Sequence, residues 1–151
     1  QMEYSLLQRG IEREVLPALG HAGAGLLAWS PLGRGVLTGK YRTGTPSDSR
    51  GASEHFTDFV RPFMDERSRH IVDAVTTAAS GLGVAPLEVA LAWVRDRPGV
   101  TAAIVGARTA AQLLGSLGAE GLELPEEIVS ALDYVSIDGR KPNSFREGVL
   151  F

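Results

Sequence analysis

Two short apolar runs, AGLLAW (Ala24–Trp29) and VTAAIVG (Val100–Gly106), are separated by helical periodicity, with no two-residue hairpin turn beside either. Strands that are reached only through helical crossovers pair in parallel, which places the chain in the α/β class. A third strand-like stretch, QMEYSLL, opens the sequence. GIEREVLPALGHAG follows it with Ile11, Val15 and Leu19 on one helical face. Residues 42–62 form a long polar excursion rich in Gly, Ser and Pro, of the kind that is functional in compact domains. From Met64 the positions Ile71, Val75, Ala78 and Leu82 repeat with helical spacing as far as GLGVAP. Pro86 then opens a second helix with Leu87, Leu91 and Val94 inward. Thr109 and Gln112 form a T-x-x-Q capping box, and Pro125 opens a last helix with Ile128, Leu132 and Val135 inward. The order is β-α-β-loop-α-α-β-α-α in a single domain over residues 1–151, and the tail 138–151 has no period. Three parallel strands alone leave long unpaired edges, so the sequence is expected to be part of a larger sheet.

Composition narrows the possible partners. A chain of 151 residues with 44% hydrophobic and 22% charged side chains has the make-up of a globular domain. Its net charge of −3 gives no reason to expect nucleic acid or an anionic membrane as partner. No stretch has the roughly 18 apolar residues of a membrane span. With no cysteine, thiolate metal sites, disulfides and a cysteine nucleophile are excluded, and a cytoplasmic location is expected. The chain opens on Gln1 rather than Met, which raises the expectation of a fragment.

The carboxyl ends of the two apolar runs carry the chemistry, because ligands of parallel α/β folds gather there. The first opens into WSPLGRGVLTGKY, offering Ser30, the amides near Gly33 and Gly35, and Lys40. Lysine stands only at positions 40 and 141, so Lys40 is conspicuous. The second end is IVGARTAAQL, where Gly106 permits close backbone approach and Arg108 precedes a capped helix. A helix N-terminus attracts anions, and an arginine beside it adds a bidentate clamp. Arg50, in the excursion, is a third cation able to fold back. Taken singly, each of these residues is more often structural: Trp29 as core, Thr109 and Gln112 as a cap, a lone Arg or Lys as solvated surface. Trp93 reads as core. His21, His55 and His70 have no metal-ligand spacing and read as surface. At this level the residues specify an anion site on a partial α/β fold.

QMEYSLL, GLLAWSPLGRGVLTGKY, SDSR, VALAWV and GVTAAIVGARTAAQL, in this order and spacing, strongly resemble the C-terminal half of the aldo-keto reductases. The likeness is to bacterial members and relatives of the potassium-channel beta subunits, and it runs from Gln1 to about Val135. It implies part of a TIM (β/α)8 barrel, with the three strands as its sixth to eighth, and NADP(H) as cofactor for carbonyl reduction. It also implies roles. Gln1 would hydrogen-bond the nicotinamide carboxamide, and Trp29 would stack on the ring. Ser30, Pro31, Leu32 and Gly35 would line the pyrophosphate, with Lys40 and Arg50 adding charge. Gly106, Arg108 and Gln112 would surround the adenosine and its 2′-phosphate.

Two departures accompany the likeness. Gly115 and Ser116 stand where the family has Glu-Asn to hold the adenine. The family's catalytic Asp, Tyr, Lys and His lie on earlier strands, and neither the tyrosines at 4, 41 and 134 nor the lysines match them. The sequence thus reads as the cofactor-binding part of an NADP(H)-dependent oxidoreductase, completed by a missing N-terminal half or by self-association. The alternatives are a non-catalytic NADP(H)-sensing module and a remnant half-barrel that only self-associates.

A positioned acid to protonate the forming alkoxide contributes about 10²–10⁴-fold to such a reaction. The chain alone is therefore expected to show no NADPH oxidation at 340 nm with a panel of aldehydes and quinones. Steady turnover that survives purification to homogeneity would mean that a catalytic acid lies among the residues present.

Overall fold

A computed structural model describes residues 1–47, 49–53 and 57–137, with Arg50 in its backbone only. Three strands, β1 (Met2–Glu3), β2 (Leu26–Trp29) and β3 (Val100–Ala103), form a parallel sheet in the order β1-β2-β3. Met2 pairs with Ala28 and Glu3 with Trp29, while an irregularity between Leu26 and Leu27 sets Leu26 opposite Val100 but Leu27 opposite Ala102. The helices are α1 (Val15–Ala22), α2 (Thr57–Val60), α3 (Glu66–Leu82), α4 (Pro86–Arg95), α5 (Ala110–Leu117) and α6 (Glu126–Ser136).

The α/β class and the parallel pairing stand as expected from the crossovers, with some local differences. The first strand is short: after the bond from the Tyr4 amide to the Trp29 carbonyl, Ser5 and Gln8 pair with each other and the chain turns away. The helical face expected from Ile11 onward is split into a 3₁₀ turn at Gly10–Glu12 and α1. A short continuous apolar run such as AGLLAW is the pattern of a strand buried on both sides. Instead Leu26 and Ala28 are buried while Leu27 is 42% exposed, because the helices cover only one face of the sheet. The excursion is not structureless, since α2 and 3₁₀ turns at Arg50–Ala52 and Arg61–Phe63 lie within it. His55 and the tail 138–151 lie outside the described residues.

Local chemistry accounts for the longer helices. The Asp65 carboxylate caps α3 by accepting from the Ser68 amide at 2.8 Å, and Gly83 closes it in the left-handed region at φ 69°. Burial pushes the Asp65 carboxyl up, but the hydrogen bonds from Ser68 and the charge of Arg67 hold it below its ordinary value. Pro86 starts α4, and the Glu88 carboxylate reaches back to accept from the Ala85 amide at 2.6 Å. Sequence spacing gives α4 one inward stripe, yet Val89 through Val94 are all buried. It is the central helix, in contact with α3, α5, β3 and the 118–121 turn, so small residues such as Ala90 and Ala92 face neighbours as well. α3 and α4 together are apolar enough to suggest a membrane span, but they meet at 101°, and no single described helix is long and apolar enough to cross one.

A charged knot centred on Trp93 joins the segment after β1 to α4 and α6. The Arg9 guanidinium lies 5.0 Å and the Arg97 guanidinium 4.7 Å from the Trp93 ring centroid. The Asp133 carboxylate accepts from Arg9 at 2.9 Å, from Arg97 at 2.8 Å and from the Trp93 indole nitrogen at 3.1 Å. Arg9 also donates to both Glu12 carboxylate oxygens and to the Ser136 hydroxyl. Burial opposes the charge on Arg9, yet the hydrogen bonds and fields of Glu12 and Asp133 raise its pKa. Burial, together with the hydrogen bond donated to Glu12, pushes the Tyr4 phenol far above its ordinary value.

Removing one partner from a buried ion pair typically costs about 3–5 kcal/mol, because the remaining charge is left uncompensated. The Asp133 side chain is 28% exposed, so Asp133→Ala is expected to cost roughly 3 kcal/mol in urea unfolding, at the lower end of that range. A midpoint that does not move would show that water replaces the carboxylate at both arginines.

Candidate functional site

The loop after β2 and the loop after β3 meet in one open cleft of about 330 Å³. From the first loop come Ser30, Pro31, Leu32, Arg34, Gly35, Thr38 and Lys40, and from the second Ile104, Val105, Gly106 and Arg108. Gln112 and Ser116 of α5 and Leu87 of α4 complete the wall. The two strand ends singled out in the sequence thus become a single concave site.

The first loop follows an unusual path. Ser30 and Arg34 are the only described non-glycine residues with positive φ, at 51° and 59°, and Gly33, Gly35 and Gly39 lie at 53°, 90° and 77°. Such left-handed backbone costs a non-glycine residue free energy and clusters at ligand sites. A Cβ on Gly35 would also crowd, at 3.2 Å, the Lys40 ammonium, which rests over the bare backbone. Lys40 is exposed, with its ammonium 5.1 Å from the Tyr41 ring centroid. The Thr38 hydroxyl donates to the Gly35 carbonyl at 2.9 Å and holds the turn closed.

On the other wall Thr109 caps α5, its hydroxyl accepting from the Gln112 amide at 3.2 Å. The Gln112 side chain accepts from the Arg108 amide at 2.8 Å. That is one residue earlier than in a capping box, where the Thr109 amide would be the donor. The amides of Ala110 and Ala111 lie in the first helical turn, without intrahelical acceptors. Gly106 faces open space, since a Cβ there would meet nothing within 4 Å. Its lack of a side chain therefore serves no packing need of the chain itself, and it keeps the cleft wall clear.

Two candidate residues, Gln1 and Trp29, are not among those that line this cleft. Gln1 is exposed just before β1, and Trp29 is half-buried at the end of β2. Trp29 is the register partner of Glu3, so alternation puts Gln1, Glu3 and Trp29 on one face of the sheet, the face that also carries exposed Leu27. Arg50 begins a 3₁₀ turn in the excursion. Among the other candidates, Trp93 is core, and His21 and His70 are exposed. The cleft also contains residues that sequence reasoning missed. Arg34 stood in plain view between two glycines, and Leu87 was assigned to a helix stripe. Among the described residues no group of three or more His, Asp or Glu side chains is placed to hold a metal ion.

The family model "Aldo/keto reductase family" matches residues 1–137. Among curated proteins, the "Probable voltage-gated potassium channel subunit beta" of Oryza sativa subsp. japonica is 38% identical over 121 residues, 79% of this chain and 37% of that protein. "Uncharacterized oxidoreductase YrpG" of Bacillus subtilis (strain 168) is 37% identical over 133 residues, 88% of this chain and 38% of the relative. "Protein tas" of Escherichia coli (strain K12) is 36% identical over 136 residues, covering 89% and 38%. The chain therefore spans well under half the length of these relatives.

The two cleft glycines are expected to respond differently to substitution. Gly35→Ala forces a side chain into the left-handed region against Lys40 and should lower stability in urea by roughly 1–2 kcal/mol. Gly106→Ala enters open space and should stay within about 0.5 kcal/mol of the parent. Equal effects would show that the loop relaxes freely around position 35.

Proposed function

The chain belongs to the aldo/keto reductase family, and on that premise we propose that it is the NADP(H)-binding part of an oxidoreductase that reduces aldehydes or ketones. The observation that supports this most is the cleft itself, which gathers Lys40, Arg108, the side chain of Gln112 and the open backbone of Gly106. Cations and a side-chain amide around a glycine-cleared wall, beside a helix N-terminus, suit a dinucleotide with a charged pyrophosphate and a 2′-phosphate. When bound, that cofactor supplies the hydride.

In this reading Trp29 offers its ring to the nicotinamide and Gln1 hydrogen-bonds the carboxamide, orienting one face of the ring. Ser30, Pro31, Leu32 and Gly35 line the pyrophosphate, and Lys40 and Arg50 balance its charge. Gly106, Arg108 and Gln112 surround the adenosine 2′-phosphate. The Gln112 side-chain oxygen is committed to the Arg108 amide, so its NH₂ group remains as the donor toward a ligand. Ser116, in the cleft wall, replaces a longer adenine-holding side chain, and its hydroxyl already donates to the Gln112 carbonyl at 3.0 Å, so it faces a ligand only as an acceptor.

The strands correspond in this proposal to the sixth, seventh and eighth of a (β/α)8 barrel, in the cytoplasm. The uncovered sheet face with Leu27, and α5 with Leu113, Leu114 and Leu117 exposed, would be covered by the rest of the barrel or by a second copy. A non-catalytic NADP(H)-sensing module is the second reading. It is favoured by the tyrosines: the Tyr4 phenol is buried and donates to Glu12, and neither Tyr41 nor Tyr134 lines the cleft.

NADPH and NADH differ by the 2′-phosphate alone. A charge-assisted hydrogen bond contributes about 1.5–3 kcal/mol, so two from Arg108 and the helix amides would favour NADPH on the order of a hundredfold. Titration followed by Trp29 fluorescence is expected to show this preference, and Arg108→Ala to remove most of it. Equal affinity for the two cofactors in the parent protein would return Arg108 to the surface. Absence of binding would defeat the proposed function for this chain.

A further inference from the structure

We propose that Arg34 is a positioning residue whose bidentate pairing with Glu3 sets the left-handed turn on which the nicotinamide and pyrophosphate end of the dinucleotide rests. The proposal deepens the cofactor reading and rests on it. As a cation in the cleft wall, Arg34 looks at first like a phosphate ligand, but its guanidinium is already committed. Its Nε donates to one Glu3 carboxylate oxygen at 2.8 Å and one terminal nitrogen to the other at 2.7 Å. The second terminal nitrogen donates to the Phe59 carbonyl at 2.5 Å. The rings of Phe59 and Phe63 lie 4.0 and 4.8 Å from the guanidinium carbon. The Arg34 and Glu3 side chains are only 15% and 11% exposed, so salt screens the pair weakly.

This arrangement joins three separate parts of the chain. Glu3 belongs to β1 and is the register partner of Trp29. Arg34 sits at φ 59° between Gly33 and Gly35, within the loop whose backbone passes beneath Lys40. Phe59 belongs to α2, in the excursion, and Phe63 to the turn that ends it. A backbone conformation that an arginine rarely adopts persists because the fork at its far end is held by two oxygens in fixed geometry. Lysine, with one point charge and no fork, does not replace it. The ion pair therefore holds the loop at a set height above the strand that carries Trp29, and it ties the excursion to both.

The test compares Glu3→Gln, Arg34→Lys, Arg34→Ala and the Glu3→Gln/Arg34→Ala double variant with the parent. Three probes are titrated: NADPH, reduced nicotinamide mononucleotide, and adenosine 2′,5′-bisphosphate, which reports only the Arg108 side. Each single variant is expected to weaken NADPH and the mononucleotide about tenfold or more, the double variant no further, and the bisphosphate less than about twofold. Hydrogen exchange should accelerate at the amides of residues 33–39 and leave α3 and α4 unchanged. Exchange at 33–39 matching the parent, or parallel losses for all three probes, would overturn the proposal. So would full rescue by Arg34→Lys. If Arg34→Ala does not fold, Glu3→Gln and Arg34→Lys carry the comparison. If the parent binds none of the probes, the cofactor reading fails on its own and the exchange arm still decides whether Arg34 sets the loop.

Discussion

The Trp93 knot is the contact on which the arrangement of the helices depends. Two guanidiniums lie within 5.0 Å of one indole centroid, and a single carboxylate, Asp133, serves both of them and the indole nitrogen. Glu12 supplies the second negative charge, so two cations and two anions are balanced. Burying one of these charges alone would be prohibitive, whereas burying the set together is tolerated because each charge is paired, with the Arg97 Nε left without a hydrogen-bond partner. The geometry has consequences beyond its own site. Arg9 fixes where the chain goes after β1, Arg97 fixes the approach to β3, and Asp133 holds α6 against both. Arg67 of α3 adds a bond to the Leu7 carbonyl and another to the Ser136 carbonyl.

β1 is only two residues long and has few backbone bonds of its own. It is held instead by side chains at its C-terminal end, with Glu3 paired to Arg34 and the next residue, Tyr4, packed on Trp93 at a centroid distance of 5.6 Å. The first contact faces the cleft loop and the second faces the helical core. This short strand therefore links the knot to the cleft, and the position of the loop after β2 depends on how firmly β1 is seated. The positive φ values at Ser30 and Arg34 fit this picture, since strained backbone persists only where its surroundings over-determine it.

Much of the outline was legible before any coordinates. Crossovers without hairpins gave the parallel sheet, and the stretch GLGVAP, Pro86, Thr109 and Pro125 marked helix ends where the structure has them or within a residue. The two strand ends were recognisable as one site because parallel strands bring their carboxyl ends to the same edge. The burial of Leu27 was misjudged, since an apolar run does not reveal whether both of its faces have neighbours. α4 was assigned one stripe and buries nearly every side, because spacing reports the residues a helix offers and not the number of elements packed around it.

The sequence alone determined the class of fold, the helix boundaries at GLGVAP, Thr109 and Pro125, and the pair of loops from which the cleft is made. These follow from local rules: periodicity, caps, and the positive φ that glycine permits. Only the tertiary structure decided what each arginine does. Arg9 finds Asp133 across 124 residues of chain, Arg34 finds Glu3 across 31, and Arg108 comes to line the cleft. A guanidinium looks the same in sequence whether it is a strut or a ligand. Its role is set by which distant oxygen comes within about 3 Å of it, and only the folded chain brings that oxygen there.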